Sequence, residues 1–458
     1  MRVRTAVAVI IAAGCHSNGA LASSGGGSGS GGGGTCAAGD ACASSWLELD
    51  SPLPVPTLDA LPATPEEWRQ LARKNEPFVV RDASVLMAWL ALGDWSPQAL
   101  RNNHGPASKF INAYNCTSRD MLYAREDRPV HFERAKNYQP YQLLNKTDVP
   151  VEHMFERITD GKAPYFYFSG SLTQPGAKSV AKGILPPDFE AAVLRDVSQL
   201  QVAPASNSSR VSEVTLWVVA EGMVARAHSD FDDNVLAVLH GEKQVHLLPP
   251  ESWLAMRVYP RVHPSDRSSQ LVDDGTKGTL VSERARAMFV TLRAGDVLFV
   301  PQMWFHRIAS TRAAVSLNSW TTTAEEDMLT EIYDNALPFH DAGARAEVDS
   351  AAFVTVHSVV RRLKGDHAKR FVEAMLASQY ALVLKHRPEC EKPFQNVDAD
   401  SAVGRAVAKT VDETVARFAR IQREGIRDVF LSLYLQGVAH WIGGADRIAH
   451  VLTCMLSQ

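Results

Sequence analysis

Hydrophobic and polar positions alternate along residues 216–250, LWVVAEGMVARAHSDFDDNVLAVLHGEKQVHLLPP, in short runs broken by polar residues, glycine and proline. The pattern returns at residues 297–300, at Trp304, His306 and Ile308, and at residues 315–321, where Ser316, Asn318 and Trp320 share a face. Successive side chains of a strand point to opposite faces, so these runs predict short antiparallel strands folded into a barrel or jelly roll. His240-Gly241-Glu242-Lys243 fits a two-residue type II′ hairpin, which sets His240 opposite Lys243. Counting by twos from His240 back through Asn234 and Asp230 to His228 then puts Lys243 on their face, unless Phe231-Asp232-Asp233 interrupts the strand.

The flanks follow other periods. Thr64-Pro65-Glu66-Glu67 carries the cap, proline and early acids of a helix start, and EPFVVRD behind it predicts a buried strand. A second helix opens at Trp95-Ser96-Pro97 and stops near Gly105, KFINAY follows, and a third helix begins at Val151. The aromatic strand APYFYF places Tyr165 and Tyr167 on one face, where core packing is the simplest role for both. Beyond Glu325, Phe353, Val356, Val359, Val360 and Leu363 recur at helical spacing, and further helices are expected over 366–385, 402–424 and 426–456, punctuated by Pro388 and Pro393. The expected boundaries are a mainly β domain over 46–325 with N-terminal helices and a C-terminal helical region over 326–458. That region either packs on the barrel, the simpler reading, or forms a homodimer.

Composition adds an address. Arg2 and Arg4 precede an apolar run over 6–13 and a small-residue cleavage site at Ala20-Leu21-Ala22, so residues 1–22 read as a signal peptide, with lipid attachment at Cys15 as the alternative. Residues 23–45 form a Gly/Ser-rich flexible linker holding Cys36 and Cys42, whose short loop suits a disulfide in an oxidising compartment. Cys116, Cys390 and Cys454 remain, along with glycosylation sequons at Asn115, Asn145 and Asn207. The expected location is the secretory pathway, in the endoplasmic reticulum lumen or outside the cell. With 458 residues and a net charge of -4, the chain has no global cationic field to favour nucleic acid, and no later apolar run is long enough for a membrane helix.

The chemistry lies in His228, Asp230 and His306. Two neutral imidazoles and a carboxylate occupy one face of an octahedral Fe(II), leaving three positions for a chelating co-substrate and dioxygen. Lys243 would pair with the far carboxylate of a dicarboxylic co-substrate such as 2-oxoglutarate, with Asn234, Asn318 and one of Tyr165 or Tyr167 adding hydrogen bonds. An isolated HxD is weak evidence, since His131, His240, His246, His263 and His340 suit surface or core roles equally well.

HSDFDDNVLAVLHGEKQVHLLPP and GDVLFVPQMWFHRI together resemble the HxD, Asn, GxK, PP and distal-histidine segments of the JmjC or cupin-like Fe(II)/2-oxoglutarate oxygenases. The resemblance is strongest to their small hydroxylase branch, which includes the asparaginyl hydroxylase acting on hypoxia-inducible factor. It extends over about residues 52–323 and implies a double-stranded β-helix, with His228, Asp230 and His306 as iron ligands. By the same resemblance Lys243, Asn234, Asn318 and Tyr165 bind 2-oxoglutarate, and a protein or peptide substrate is hydroxylated or, if the carbon bears nitrogen, demethylated. Where many members carry Thr or Ser three residues before the first histidine, this chain has Ala225. That departure keeps a second class open, a catalytically silent cupin-like binding protein.

Overall fold

The computed structural model describes residues 52–456 except 104–109, 117–118, 122–145, 173–180, 182, 203–210, 264, 272–286, 341–343, 382–389, 391–393, 395 and 445–446. The expected signal peptide, linker, Cys15 and Cys36/Cys42 sites, His131 and the sequons at Asn145 and Asn207 lie outside the described residues.

In chain order the N-terminal half contains β1 (Leu53–Pro54), β2 (Thr57–Leu58), α1 (Pro65–Lys74), β3 (Phe78–Val80), α2 (Ser84–Leu90), α3 (Pro97–Asn103), β4 (Phe110–Cys116), β5 (Asp120–Met121), β6 (Lys146–Pro150), α4 (Val151–Asp160), β7 (Tyr165–Ser171) and α5 (Pro187–Asp196). The Thr64 hydroxyl accepts from Glu67 N at 3.2 Å while the Glu67 carboxylate accepts from Thr64 N at 3.1 Å, so α1 begins with a reciprocal cap. It ends at Asn75, which holds a left-handed φ of 50°.

The barrel follows as β8 (Val211–Val219), β9 (Val224–His228), β10 (Asp233–His240), β11 (Glu242–Leu248), β12 (Met288–Arg293), β13 (Val297–Val300), β14 (Phe305–Ser310) and β15 (Ala314–Thr321). One sheet has the order β2-β3-β13-β10-β15-β8-β7-β4-β6, and the other β1-β12-β11-β14-β9-β5. The four-strand cores β13-β10-β15-β8 and β12-β11-β14-β9 are antiparallel throughout, and the chain changes sheet at every step from β8 to β15 except between β11 and β12, giving the expected jelly roll. Val79, Leu236, Val245, Leu247, Val290, Leu298 and Val300 fill the space between the sheets. Each fully buried side chain of this type contributes roughly 1.5–3 kcal/mol.

One expectation changes here. β10 pairs with β13 and β15, whereas β11 pairs with β12 and β14, so residues 240–243 carry the chain from one sheet to the other instead of closing a hairpin. His240 is therefore not the ladder partner of Lys243, which pairs with Leu292 and Ser310. Gly241 makes the crossing with φ 81°, and a Cβ there would lie 2.2 Å from the Ala313 carbonyl oxygen. Gly241→Ala should therefore destabilise the protein by about 3 kcal/mol or more, read as a lower midpoint in urea unfolding.

The C-terminal helices are α6 (Ala324–Asp334), α7 (Arg345–Lys364), α8 (Ala368–Gln379), α9 (Ala402–Arg420), α10 (Glu424–Gly443) and α11 (Ile448–Cys454). The single helix expected over 426–456 is two, because Gly444 takes φ 81° and ends α10. Phe353, Val356, Phe418, Phe430 and Leu452 share one core with the barrel residues Ala227, Leu248, Met303 and Phe305. Apolar faces of these helices are thus covered from within the chain. A disulfide joins Cys390 to Cys454 of α11, spanning 64 residues of sequence. Among the described residues no helix is long and apolar enough to cross a membrane.

Candidate metal and co-substrate site

β9 ends on His228, and the loop after it carries Asp230. β14 pairs antiparallel with β9 so that His306 lies directly opposite His228, with ring centroids 4.3 Å apart. Ligand atoms of His228, Asp230 and His306 all fall within 4.8 Å of one another, and the three residues are buried. Among the described residues this is the one group of three or more His, Cys, Asp or Glu residues so arranged.

Backbone carbonyls select the tautomers. His228 Nδ1 lies 2.7 Å from Arg226 O and His306 Nδ1 lies 3.0 Å from Trp304 O. A carbonyl oxygen can only accept, so each Nδ1 carries the proton and each Nε2 lone pair is left for a metal. Burial, followed by the neighbouring His306, pushes the His228 pKa down to about 4, which keeps that imidazole neutral near pH 7. Burial alone would raise Asp230, but His228, His306, Arg267 and the Trp320 indole together hold it below the ordinary carboxylate value. Two imidazole Nε2 donors and one ionised carboxylate are the donor set of a non-haem Fe(II) site with open positions, so the residues fit that metal.

Further in, the cavity beside these residues is lined by Lys243, Asn234, Asn318 and Ser310, and by the apolar side chains of Met121, Trp217, Leu236 and Ile308. Leu247 pairs with His306 and Lys243 with Ser310, so Lys243 originates four residues, about 13 Å, deeper along the strands than the metal ligands. Its side chain enters the same cavity as His228 and His306, as parity requires, although it arrives from the sheet opposite β10. The ammonium is buried, and burial lowers its pKa to about 8. Asn318 Nδ2 donates to Asn234 Oδ1 at 2.8 Å, which ties β15 to β10 on the cavity wall.

The other candidates are placed differently. Tyr165 is half-buried beneath the Arg119 guanidinium, 5.3 Å from its ring centroid, and is not among the side chains lining the cavity. Tyr167 is fully buried and stacks on Tyr114 at 4.6 Å, the core role expected of it. Ala225 does line the cavity, opposite Ile308, because a bulge between His306 and Ile308 lets residues 225 and 228 face inward together.

Asp232 and Asp233 are each 7% exposed. Burial, then Glu326, Asp230 and Asp233, raises Asp232 to about 8, while burial raises Asp233 to about 7 despite a 3.0 Å hydrogen bond from Gln302 N. Near pH 7 these acids therefore carry less negative charge than their number suggests. Two further side chains support the site: Trp304, within the distal-histidine segment, and Arg267, which lies outside every motif. Trp304 donates its indole N–H to Asn75 O and Oδ1 at 2.9 and 2.8 Å, anchoring the carbonyl that orients His306. Arg267 reaches Asp230 from the loop before β12.

Residues 64–326 match the cupin-like domain family. The chain belongs to that family. Its core is a JmjC-type cupin domain with homology to JmjC hydroxylases and demethylases. Among curated relatives, the human bifunctional peptidase and (3S)-lysyl hydroxylase JMJD7 is 22% identical over 301 residues, covering 60% of this chain and 85% of that protein. JmjC domain-containing protein E of Dictyostelium discoideum is 22% identical over 295 residues, 57% of this chain and 80% of that protein. The rat HSPB1-associated protein 1 is 35% identical over 127 residues, 26% of each chain. A cupin-like chain of this lineage falls within the JmjC oxygenase family, and its candidate triad lies at the end of β9, in the loop after it and on β14.

Proposed function

We propose that the protein is an Fe(II)- and 2-oxoglutarate-dependent oxygenase that hydroxylates a protein side chain. The observation that carries this reading is two Nε2-presenting histidines that line one cavity with a buried lysine and have an ionised aspartate beside them. His228, Asp230 and His306 would hold Fe(II), which when bound activates dioxygen using electrons from 2-oxoglutarate. Lys243 would hold the distal carboxylate of the co-substrate by charge, while Asn234 and Asn318 offer it neutral hydrogen bonds. The apolar walls, Trp217, Leu236 and Ile308, exclude water from the space between. Lysine is the first side chain to assay, because the human relative is named a lysyl hydroxylase.

Anaerobic protein loaded with Fe(II) and 2-oxoglutarate should, on admitting oxygen with candidate peptides, form succinate well above a His228→Ala control. No excess succinate, together with no calorimetric binding of 2-oxoglutarate, would leave the silent binding-protein reading, which Ala225 favours. Ala225→Thr should restore a hydroxyl on the cavity wall and tighten 2-oxoglutarate by up to about tenfold, the worth of one hydrogen bond to a charged group.

We also assign the protein to the secretory pathway. Support comes from the Cys390–Cys454 disulfide, since such bonds persist in oxidising compartments. Reduction should cost about 2–4 kcal/mol of stability, measured by urea unfolding with and without dithiothreitol. A protein expressed with its first 22 residues and found unglycosylated in the cytosol would overturn the assignment.

A further inference from the structure

The geometry points to Arg267 as a positioning residue that makes Asp230 a one-oxygen metal ligand; this rests on the oxygenase reading above. The two oxygens of Asp230 are shared out unequally. Oδ2 lies 3.6 Å from His306 Nε2 and 3.4 Å from the Trp320 indole nitrogen, on the side of the other ligands. Oδ1 turns away and lies 3.4 Å from Arg267 Nη1, which also donates to Ser229 O at 2.9 Å. The guanidinium lies over Phe231, with its carbon 4.9 Å from the ring centroid. One cation therefore grips both the backbone and the outer carboxylate oxygen of the HxD loop.

The backbone of Arg267 is an independent sign. Its φ is 66°, a left-handed value that costs a residue with a Cβ on the order of 1 kcal/mol or more and that glycine would adopt freely. The strain is sustained by stitching of this loop to the metal strand. Ser229 N donates to Arg267 O at 3.2 Å, Ser269 N donates to Ala227 O at 2.8 Å, and Ser268 forms a β-bridge with His228. The loop thus continues the six-stranded sheet past β9 and delivers one side chain to one carboxylate oxygen.

Coordination arithmetic gives the arrangement its use. An octahedral ion held by two imidazoles and one carboxylate oxygen keeps three positions, two for a chelating co-substrate and one for dioxygen. An aspartate free to turn could bind through both oxygens and close one of the three. By occupying Oδ1, Arg267 keeps that position open.

The test uses the full protein loaded with Co(II), whose visible absorption reports coordination number, titrated with 2-oxoglutarate. Wild type is expected to bind both. Arg267→Ala should still bind Co(II) but show an altered band pattern before co-substrate is added, and bind 2-oxoglutarate about 10- to 100-fold more weakly, as for other partners of metal ligands. Arg267→Lys, which retains a cationic donor, should fall between the two, and carries the test if the alanine variant does not fold. Arg267→Gly, which removes the side chain but relieves φ, should behave as the alanine variant does in spectrum and affinity. Variants with wild-type spectra and affinities, even if less stable, would overturn the proposal and leave Arg267 as a loop tie alone. Wild-type protein that binds no Co(II) would instead remove the oxygenase reading itself, and this proposal with it.

Discussion

Replacing Lys243 with methionine should abolish 2-oxoglutarate binding and, at the same time, stabilise the empty protein. Lys243 is 5% exposed and burial lowers its pKa from 10.5 to about 8. The sign follows from proton counting. Between about pH 8 and 10.5 the unfolded chain holds this proton and the folded chain does not, so stability rises with pH across that window. Below pH 8 the folded state carries the full cost of burying the charge, on the order of 3 kcal/mol for a shift of this size. Methionine fills the same space without the charge, so Lys243→Met should unfold at higher urea near pH 7 and lose the rise in stability between pH 8 and 10.5. Calorimetry on the same variant should show no co-substrate binding. A bound carboxylate favours the charged lysine, so binding by wild type above pH 8 should take up a proton, visible as a dependence of the binding heat on buffer. A Lys243→Met protein that still binds 2-oxoglutarate would move the distal carboxylate elsewhere.

Loss of His306 should be as severe for the metal. His306 is 2% exposed, oriented by Trp304 O and placed opposite His228, so no other described histidine can replace it. Outer partners of metal ligands alone are worth roughly 10- to 100-fold in affinity, and removing a ligand should exceed that. His306→Ala is expected to lower Fe(II) affinity by more than about a hundredfold and to reduce succinate formation to background. His246 supplies the control. It alternates with Lys243, Val245 and Leu247 along β11 and so faces away from the cavity, and His246→Ala should leave metal affinity unchanged. Equal loss in both variants would mean that the barrel, rather than the ligand, had failed.

Much of this architecture was legible because side-chain alternation is local. Period two assigned His228, His306, Asn318, Trp320 and Lys243 to inward faces without any knowledge of neighbours. It says nothing about which strands pair, and for that reason β10 and β11 were expected as a hairpin although a two-residue turn also serves to change sheets. Parity around Lys243 still led to the right cavity because the fold closes the two sheets over one space. Burial of Asp232 and Asp233 depends on Gln302, Glu326 and the C-terminal helices, all remote in sequence. Arg267 was invisible for the same reason, since nothing in DRSSQ marks a residue that will reach a carboxylate 37 positions earlier. The break between α10 and α11 was readable in principle, at the Gly-Gly step that ends the first helix.

The switch of sheets at Gly241 also partitions chemistry within the cavity. His228, His306 and Lys243 stand on one sheet, while Asn234 and Asn318 stand on the other and hold each other by a side-chain hydrogen bond. The cavity-lining groups able to carry charge are thus on one wall, and the amides are on the facing wall. If Lys243 and the two amides hold the co-substrate as proposed, discrimination among short dicarboxylates can be altered on β10 and β15 without replacing His228, Asp230, His306 or Lys243. A protein engineer seeking a different co-substrate should mutate the amide wall first.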